Sequence, residues 1–252
     1  MMTSSIPRYR VLGIPFNPID RALAREHCFS AVASDRFHLL VTLGTEMVMN
    51  AQVNQPFSEI VEEADLVVPD GIGLVMAARL AGLEAPERVT GVELVHDLVE
   101  ASPAGTRFFF YGSSPGVAQQ AAENLAANVR EFECAGVMDG YVKDPEEVLA
   151  AIEAARPHVL FVALGSPRQE LFLSQNRERL ERSGVRIGVG VGGSFDVYAG
   201  TVERAPQWAQ KLHFEWLYRL WKQPSRWRRM LALPRFAMRV LLSPKRAVRL
   251  AE

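Results

Sequence analysis

Short apolar runs alternate along the chain with longer stretches whose apolar residues recur at helical spacing. Phe37–Thr42, Leu66–Val68, Arg107–Tyr111, Glu133–Val137, Val159–Leu164 and Arg186–Val191 are brief, carry β-branched or aromatic residues and are bounded by turn residues, so they read as strands. Val11-Leu12-Gly13-Ile14 reads as a weaker first strand, and Arg186–Val191 as the last. Helices fill the intervals. One is capped by Asp20 and runs to Ser34, one is capped by Thr45, and Phe57–Ala64, Leu74–Ala81 and Val92–Ala101 follow. An Ala-rich helix runs from near Pro115 to Asn128, another from Asp144-Pro145 to Arg156, and a last one from the Gly165–Glu170 turn to Arg182. Strands alternating with helices mean βαβ units. The expected fold is α/β and Rossmann-like, a mostly parallel sheet with helices on both faces, with a basic helical appendage at the C-terminal end.

Composition leaves this picture intact. With 252 residues, 48% of them hydrophobic, the chain can bury one large core, or a core with an appendage. Cys28 and Cys134 make neither a disulfide framework nor a metal spacing and fit a reducing cytoplasm. Met1–Arg10 lacks the apolar core of a secretory signal, and no apolar run approaches the roughly 18 residues that span a bilayer.

Charge adds more. Arg204–Glu252 holds twelve basic and two acidic residues, whereas Met1–Glu203 holds sixteen and twenty-seven. This asymmetry divides the expected catalytic domain, residues 1–204, from a basic segment, 205–252. All four tryptophans lie in that segment, interleaved with Leu and Arg, as in Trp216-Leu217-Tyr218-Arg219-Leu220-Trp221. Such helices suit the boundary between water and lipid, so an anionic membrane surface is the expected partner. Packing on the chain's own acidic body, or against a second copy in a homo-oligomer, accounts for the same residues. No nucleic-acid-binding motif accompanies the charge, so nucleic acid is not an expected partner.

Candidate chemistry gathers at the carboxyl ends of the strands, which form one rim in a parallel sheet. Pro69-Asp70-Gly71, Gly112-Ser113-Ser114, Met138-Asp139-Gly140, Gly165-Ser166-Pro167 and Gly192-Gly193-Ser194-Phe195-Asp196 all fall there. Small residues let backbone N–H groups approach a ligand, and helix N-termini favour anions. Gly71, Gly112, Ser113, Asp139, Gly140, Gly165, Pro167, Gly192, Gly193 and Asp196 are therefore candidate binding residues, and a nucleoside diphosphate is the guest they suit. Singly, each turn is equally the start of a helix, and Asp70 alone reads as well as a turn residue or helix cap. No Gly-x-Gly-x-x-Gly follows the first strand, which disfavours a nicotinamide oxidoreductase, and no Walker loop occurs. No Asp-x-Asp is present to hold a divalent ion on a diphosphate, and the five histidines lack metal spacing, so neither a metal nor a cofactor is expected.

Several blocks together resemble the WecG/TagA/CpsF family of glycosyltransferases: Val41-Thr42-Leu43, Ala64–Gly73, Glu87–Gly91, Gly165–Glu170, Gly190–Asp196, Arg204-Ala205-Pro206, Glu215–Leu220 and Arg228-Arg229. They occur in order over roughly residues 37 to 230. The resemblance implies an inverting, metal-independent transferase that is peripheral on the cytoplasmic face of the bacterial membrane. It would move a sugar from a UDP-sugar to a polyprenyl-diphosphate-linked saccharide in cell-surface polysaccharide synthesis. It implies a catalytic role for Asp70, with Thr42 and Arg88 beside it, and a substrate-binding role for Gln169. The sequence departs from the family at Gly44, where members often carry Asn, which leaves the donor sugar open and admits a hexose without an N-acetyl group.

The chemistry agrees with that implication. An ionised Asp70 can take the proton of an attacking hydroxyl. A UDP departing without a metal needs cationic and N–H donors, and Arg219, Arg226, Arg228 and Arg229 are candidates because a guanidinium binds phosphate oxygens in pairs. Membrane docking and completion of the site would then be one event. A membrane-docked nucleotide-sugar-binding protein without transfer activity is the alternative.

Overall fold

A computed structural model describes residues 6–129, 131–203, 206, 209, 215–222 and 227–251. Its strands are β1 (Tyr9–Val11), β2 (Ile14–Phe16), β3 (His38–Leu43), β4 (Leu66–Pro69), β5 (Arg107–Gly112), β6 (Glu133–Met138), β7 (Val159–Ala163), β8 (Ile187–Gly190) and β9 (Val248–Leu250). Six form one parallel sheet in the order β4-β3-β8-β7-β5-β6. The fold is α/β and Rossmann-like, with helices on both faces.

The near-continuous apolar runs follow from burial on both faces, since successive side chains of a strand point to opposite sides. Phe108 and Phe110 pack with Leu40, Phe161 and Val189 against the helices Arg21–Val32, Gly91–Ala101 and Val117–Ala126. Phe109 and Tyr111 face the other way, with Val41, Leu160 and Val162, against the helices Gln55–Glu63, Pro145–Ala155 and Arg168–Gln175.

Four local readings are corrected. Val11–Ile14 is the bend of an antiparallel hairpin, with β1 and β2 on either side and Leu12 and Gly13 both at positive φ, 49° and 90°. Those angles give the two-residue turn its twist, which apolarity alone does not reveal. Arg186–Val191 is not the last strand, because β9 pairs antiparallel with β1. Thr45 is not a cap: Gly44 holds the N-cap position of the helix Thr45–Ala51, without a side-chain bond. The helix expected to reach Arg182 is broken at Asn176, whose side-chain amide donates to the Phe172 carbonyl at 2.7 Å.

The C-terminal segment enters the core. Phe236 and Val240 of the helix Ala232–Leu242, together with Ala247 and Val248, join the same buried cluster as Leu43, Leu74 and Ala78. Deleting residues 205–252 would uncover these side chains and strip β1 of a partner, so it would not leave the rest of the fold undisturbed.

Candidate active site

The carboxyl ends of β3, β4, β5, β7 and β8 surround a cavity of about 500 Å³, a size that accommodates a small-molecule ligand. Asp70 stands on its wall. The Leu43 carbonyl at the end of β3 accepts from the amides of both Asp70 and Gly71, at 3.1 and 3.4 Å, and so turns the chain at the end of β4. The N-cap of the following helix, Ile72–Leu80, is Gly71 and not Asp70. Gly71 and Gly73 are small because Thr45 lies against them: a Cβ on Gly73 would sit 2.5 Å from Thr45 Oγ1.

Arg88 reaches the same wall from a loop fixed at two points. The Val89 amide donates to the Pro69 carbonyl at 3.0 Å, and Thr90 caps the helix Gly91–Ala101 in a reciprocal box with Glu93. The Thr-x-x-Glu spacing is the sequence signature of such a box. Thr42 is buried, and its hydroxyl donates to the Gly190 carbonyl at 3.0 Å. It joins β3 to β8 and lines the cavity.

Across the cavity, Ser113 Oγ donates to Asp196 at 3.4 Å, and the Ser113 amide donates to the Ala163 carbonyl at 2.8 Å. Gln169 is almost wholly buried. Its Oε1 accepts from the amides of Gly165 and Gly192, both at 3.1 Å, and its Nε2 donates to Glu170 Oε1 at 2.7 Å. Burial pushes the Glu170 carboxyl above the ordinary carboxylate range.

Ten of the residues singled out in the sequence thus share one cavity: Thr42, Asp70, Gly71, Arg88, Ser113, Gly165, Gln169, Gly192, Gly193 and Asp196. Four do not line it. Gly112 and Gly140 support its wall: Gly112, at φ 123°, lets β5 pass the Ala163 carbonyl, and the Gly140 amide donates to the Ser113 carbonyl at 2.9 Å. Pro167 is the N-cap of the helix Arg168–Gln175. Asp139 lines a separate depression of about 330 Å³ with Gly116 and Glu147. Arg226 lies outside the described residues, as do the side chains of Arg219, Arg228 and Arg229. Sequence reasoning missed Glu46, Thr90 and Glu203 on the wall, and the apolar contribution of Trp216, Met230 and Leu233 from the C-terminal segment. Glu203 Oε2 accepts from Tyr218 and Lys222, both at 3.2 Å, and so ties that segment to the rim.

Among the described residues, the grouping with metal-ligand proximity is His96, Asp97 and Glu100. It lies away from the cavity lining, and Asp97 is already held by Arg21 through bonds of 2.7 and 2.6 Å.

A parallel sheet with a cavity across its carboxyl edge, walled by a carboxylate, an arginine and glycine turns, has the architecture of α/β enzymes, which gather ligands at that edge. The chain belongs to the glycosyl transferase WecG/TagA/CpsF family, whose model matches residues 9–249. It is 40% identical over 203 residues to an N-acetylglucosaminyldiphosphoundecaprenol N-acetyl-beta-D-mannosaminyltransferase of Bacillus spizizenii (strain ATCC 23059 / NRRL B-14472 / W23), covering 80% of this chain and 78% of that one. It is 35% identical over 208 residues to a protein of the same name from Bacillus subtilis (strain 168), covering 82% and 80%. No helix among the described residues is long and apolar enough to cross a membrane.

Proposed function

We propose that the chain transfers a sugar from a UDP-sugar to a saccharide on a polyprenyl diphosphate, with inversion and without a metal ion. The observation that carries this reading is the convergence of Asp70, Thr42 and Arg88 on one cavity in a chain of this family. In the transfer, the acceptor hydroxyl oxygen bonds to the anomeric carbon from the face opposite UDP. The bond from that carbon to the diphosphate oxygen breaks, its electron pair leaves with UDP, and Asp70 takes the hydroxyl proton. Arg88 and backbone N–H groups at the rim meet the charge that builds on the diphosphate. Thr42 orients the reacting sugar through its oxygen.

The relatives' names specify an N-acetylmannosaminyl group and an N-acetylglucosaminyl-diphosphoundecaprenol acceptor. An acceptor of that chemistry, embedded by its lipid, requires the enzyme to work at a membrane surface. Trp221 and Trp227 are 72% and 54% exposed, and Leu241 and Leu242 are 63% and 77% exposed, in a segment with eleven basic residues. These features support docking of residues 205–252 on the cytoplasmic membrane face, with Arg219, Arg226, Arg228 and Arg229 as candidates to complete the diphosphate site. Trp216 and Met230 on the cavity wall support that second role.

The test is turnover of a short-chain prenyl-diphosphate-linked N-acetylglucosamine with UDP-N-acetylmannosamine and unsubstituted UDP-hexoses, with and without EDTA. Turnover that survives EDTA is expected. Loss of turnover in EDTA would refute the metal-free mechanism, and UDP-sugar binding without any transfer would favour the binding-protein alternative.

A further inference from the structure

Glu170 is the third residue of the helix Arg168–Gln175, a position where a glutamate ordinarily bonds back to the N-cap amide. Here the N-cap is Pro167, which has no N–H to offer. The carboxyl is instead fully buried, at 0% exposure, and Oε1 accepts from Gln169 Nε2 at 2.7 Å. Its Oε2 faces the buried Ser166 Oγ, and among the described residues neither atom meets another side-chain partner. A buried carboxyl is costly, so this one calls for a specific account.

The side-chain amide of Gln169 has nearly the same shape either way round, but opposite polarity. Its oxygen must face the Gly165 and Gly192 amides, which both donate to it at 3.1 Å. An amide turned the other way would set N–H against N–H. An acceptor beside Nε2 excludes that orientation, and Glu170 supplies it. Gly190 makes room for the arrangement, since a Cβ there would lie 2.3 Å from Gln169 Nε2.

We propose that Glu170 is a positioning residue for sugar transfer: it fixes the polarity of the Gln169 amide, and Gln169 then ties the turns after β7 and β8 into one wall of the cavity. Gln169 acts through those turns and not as a ligand of the sugar. The inference rests on the transferase reading of the cavity. Because burial raises the Glu170 pKa, a neutral amide of the same shape is a suitable stand-in.

Four variants in the full chain test it, E170Q, E170L, Q169E and Q169E/E170Q, read by kcat/KM for transfer and by hydrogen exchange at the Gly165 and Gly192 amides. E170Q keeps an acceptor beside Nε2 and should stay within a few-fold of the parent. E170L removes the acceptor and should lose on the order of tenfold or more in kcat/KM, with the two amides exchanging faster by a similar factor. Q169E sets two carboxyls face to face, which hold together only by sharing a proton, so at high pH it should lose at least as much and the loss should shrink as pH falls. Adding E170Q to Q169E should recover about tenfold, because the pair is then reversed: the side-chain amide at position 170 donates to the carboxylate at position 169, which still accepts from both backbone amides. A side chain that binds the sugar through its own NH₂ would show no such recovery, and that result overturns the proposal. If E170L fails to fold, Q169E against the double variant still decides, with recovery of folding counting as recovery. If the unsubstituted chain turns over no sugar, the transferase reading fails while amide exchange still tests the tie. Unchanged exchange in E170L would overturn the tie.

Discussion

Replacing Gly190 by alanine should damage the protein far more than one methyl group suggests. Gly190 ends β8, between β3 and β7. A Cβ there would lie 2.3, 2.7 and 2.8 Å from Gln169 Nε2, Cδ and Cγ, well inside contact distance. Gln169 is 3% exposed and hydrogen-bonded at both ends of its amide, so it cannot swing aside cheaply. Overpacking of a filled site costs about 1–3 kcal/mol. Displacing Gln169 adds about 1 kcal/mol or more for each buried group left without its partner. The sum is about 3–6 kcal/mol, a large share of the stability of a single domain. For a chain of this size each kcal/mol moves Tm by about 2–4 °C, so thermal unfolding should begin at least about 6 °C lower. Urea unfolding of G190A beside G44S checks the reasoning. Gly44 has φ −93° and nothing within 4 Å of a Cβ, so G44S should stay within about 0.5 kcal/mol of the parent. A G190A protein melting within about 3 °C of the parent would refute the close contact.

Other outcomes follow from the same geometry. D70N should lower kcat by about 10²- to 10⁴-fold while UDP affinity, measured by calorimetry, stays within a few-fold. His38 is buried, with Ser34 Oγ 2.9 Å from Nε2, and burial, followed by the Arg36 charge, lowers its pKa to about 4. The unfolded chain therefore binds a proton that the folded one refuses, and stability should fall by about 3 kcal/mol as pH drops from 6.5 to 4. An H38Q variant should show a flatter loss in urea titrations across that window. Asp65, whose carboxyl is held below its ordinary range by the Leu39 amide and the Arg177 and Arg36 charges despite burial, loses its contribution only below about pH 4, outside the window. W221S/L242S should weaken co-sedimentation with anionic vesicles while turnover of a water-soluble acceptor changes less than about threefold.

The sheet was legible because its strands, except the edge strand β6, are buried on both faces and stop at residues that cannot continue them. Phe108-Phe109-Phe110 can serve two cores at once only in such a strand, and Asp70 was found because Pro69 and Gly71 bracket it. What stayed hidden depended on partners distant in sequence. The strand β9 is three residues long and has no pattern of its own until β1 lies beside it. The role of Gln169 lies in two glycine amides, one of them 23 residues away. Asp139 ends its strand as Asp70 does, but β6 is at the edge of the sheet, and the turn opens onto a different depression.

The pairing of β9 with β1 also fastens the segment that lies along the cavity. The segment that brings Trp216 and Met230 to the cavity is held upstream by Glu203 and downstream by the buried Phe236 and Val240 and by the β9 ladder. It is a strap fastened at both ends, and lifting it from its C-terminal side would unzip the β1–β9 ladder. On the proposed docking of this segment, a load carried by its tryptophans would be borne by the cavity wall and the β1–β9 ladder together, so lipid contact and site integrity would share one set of fastenings.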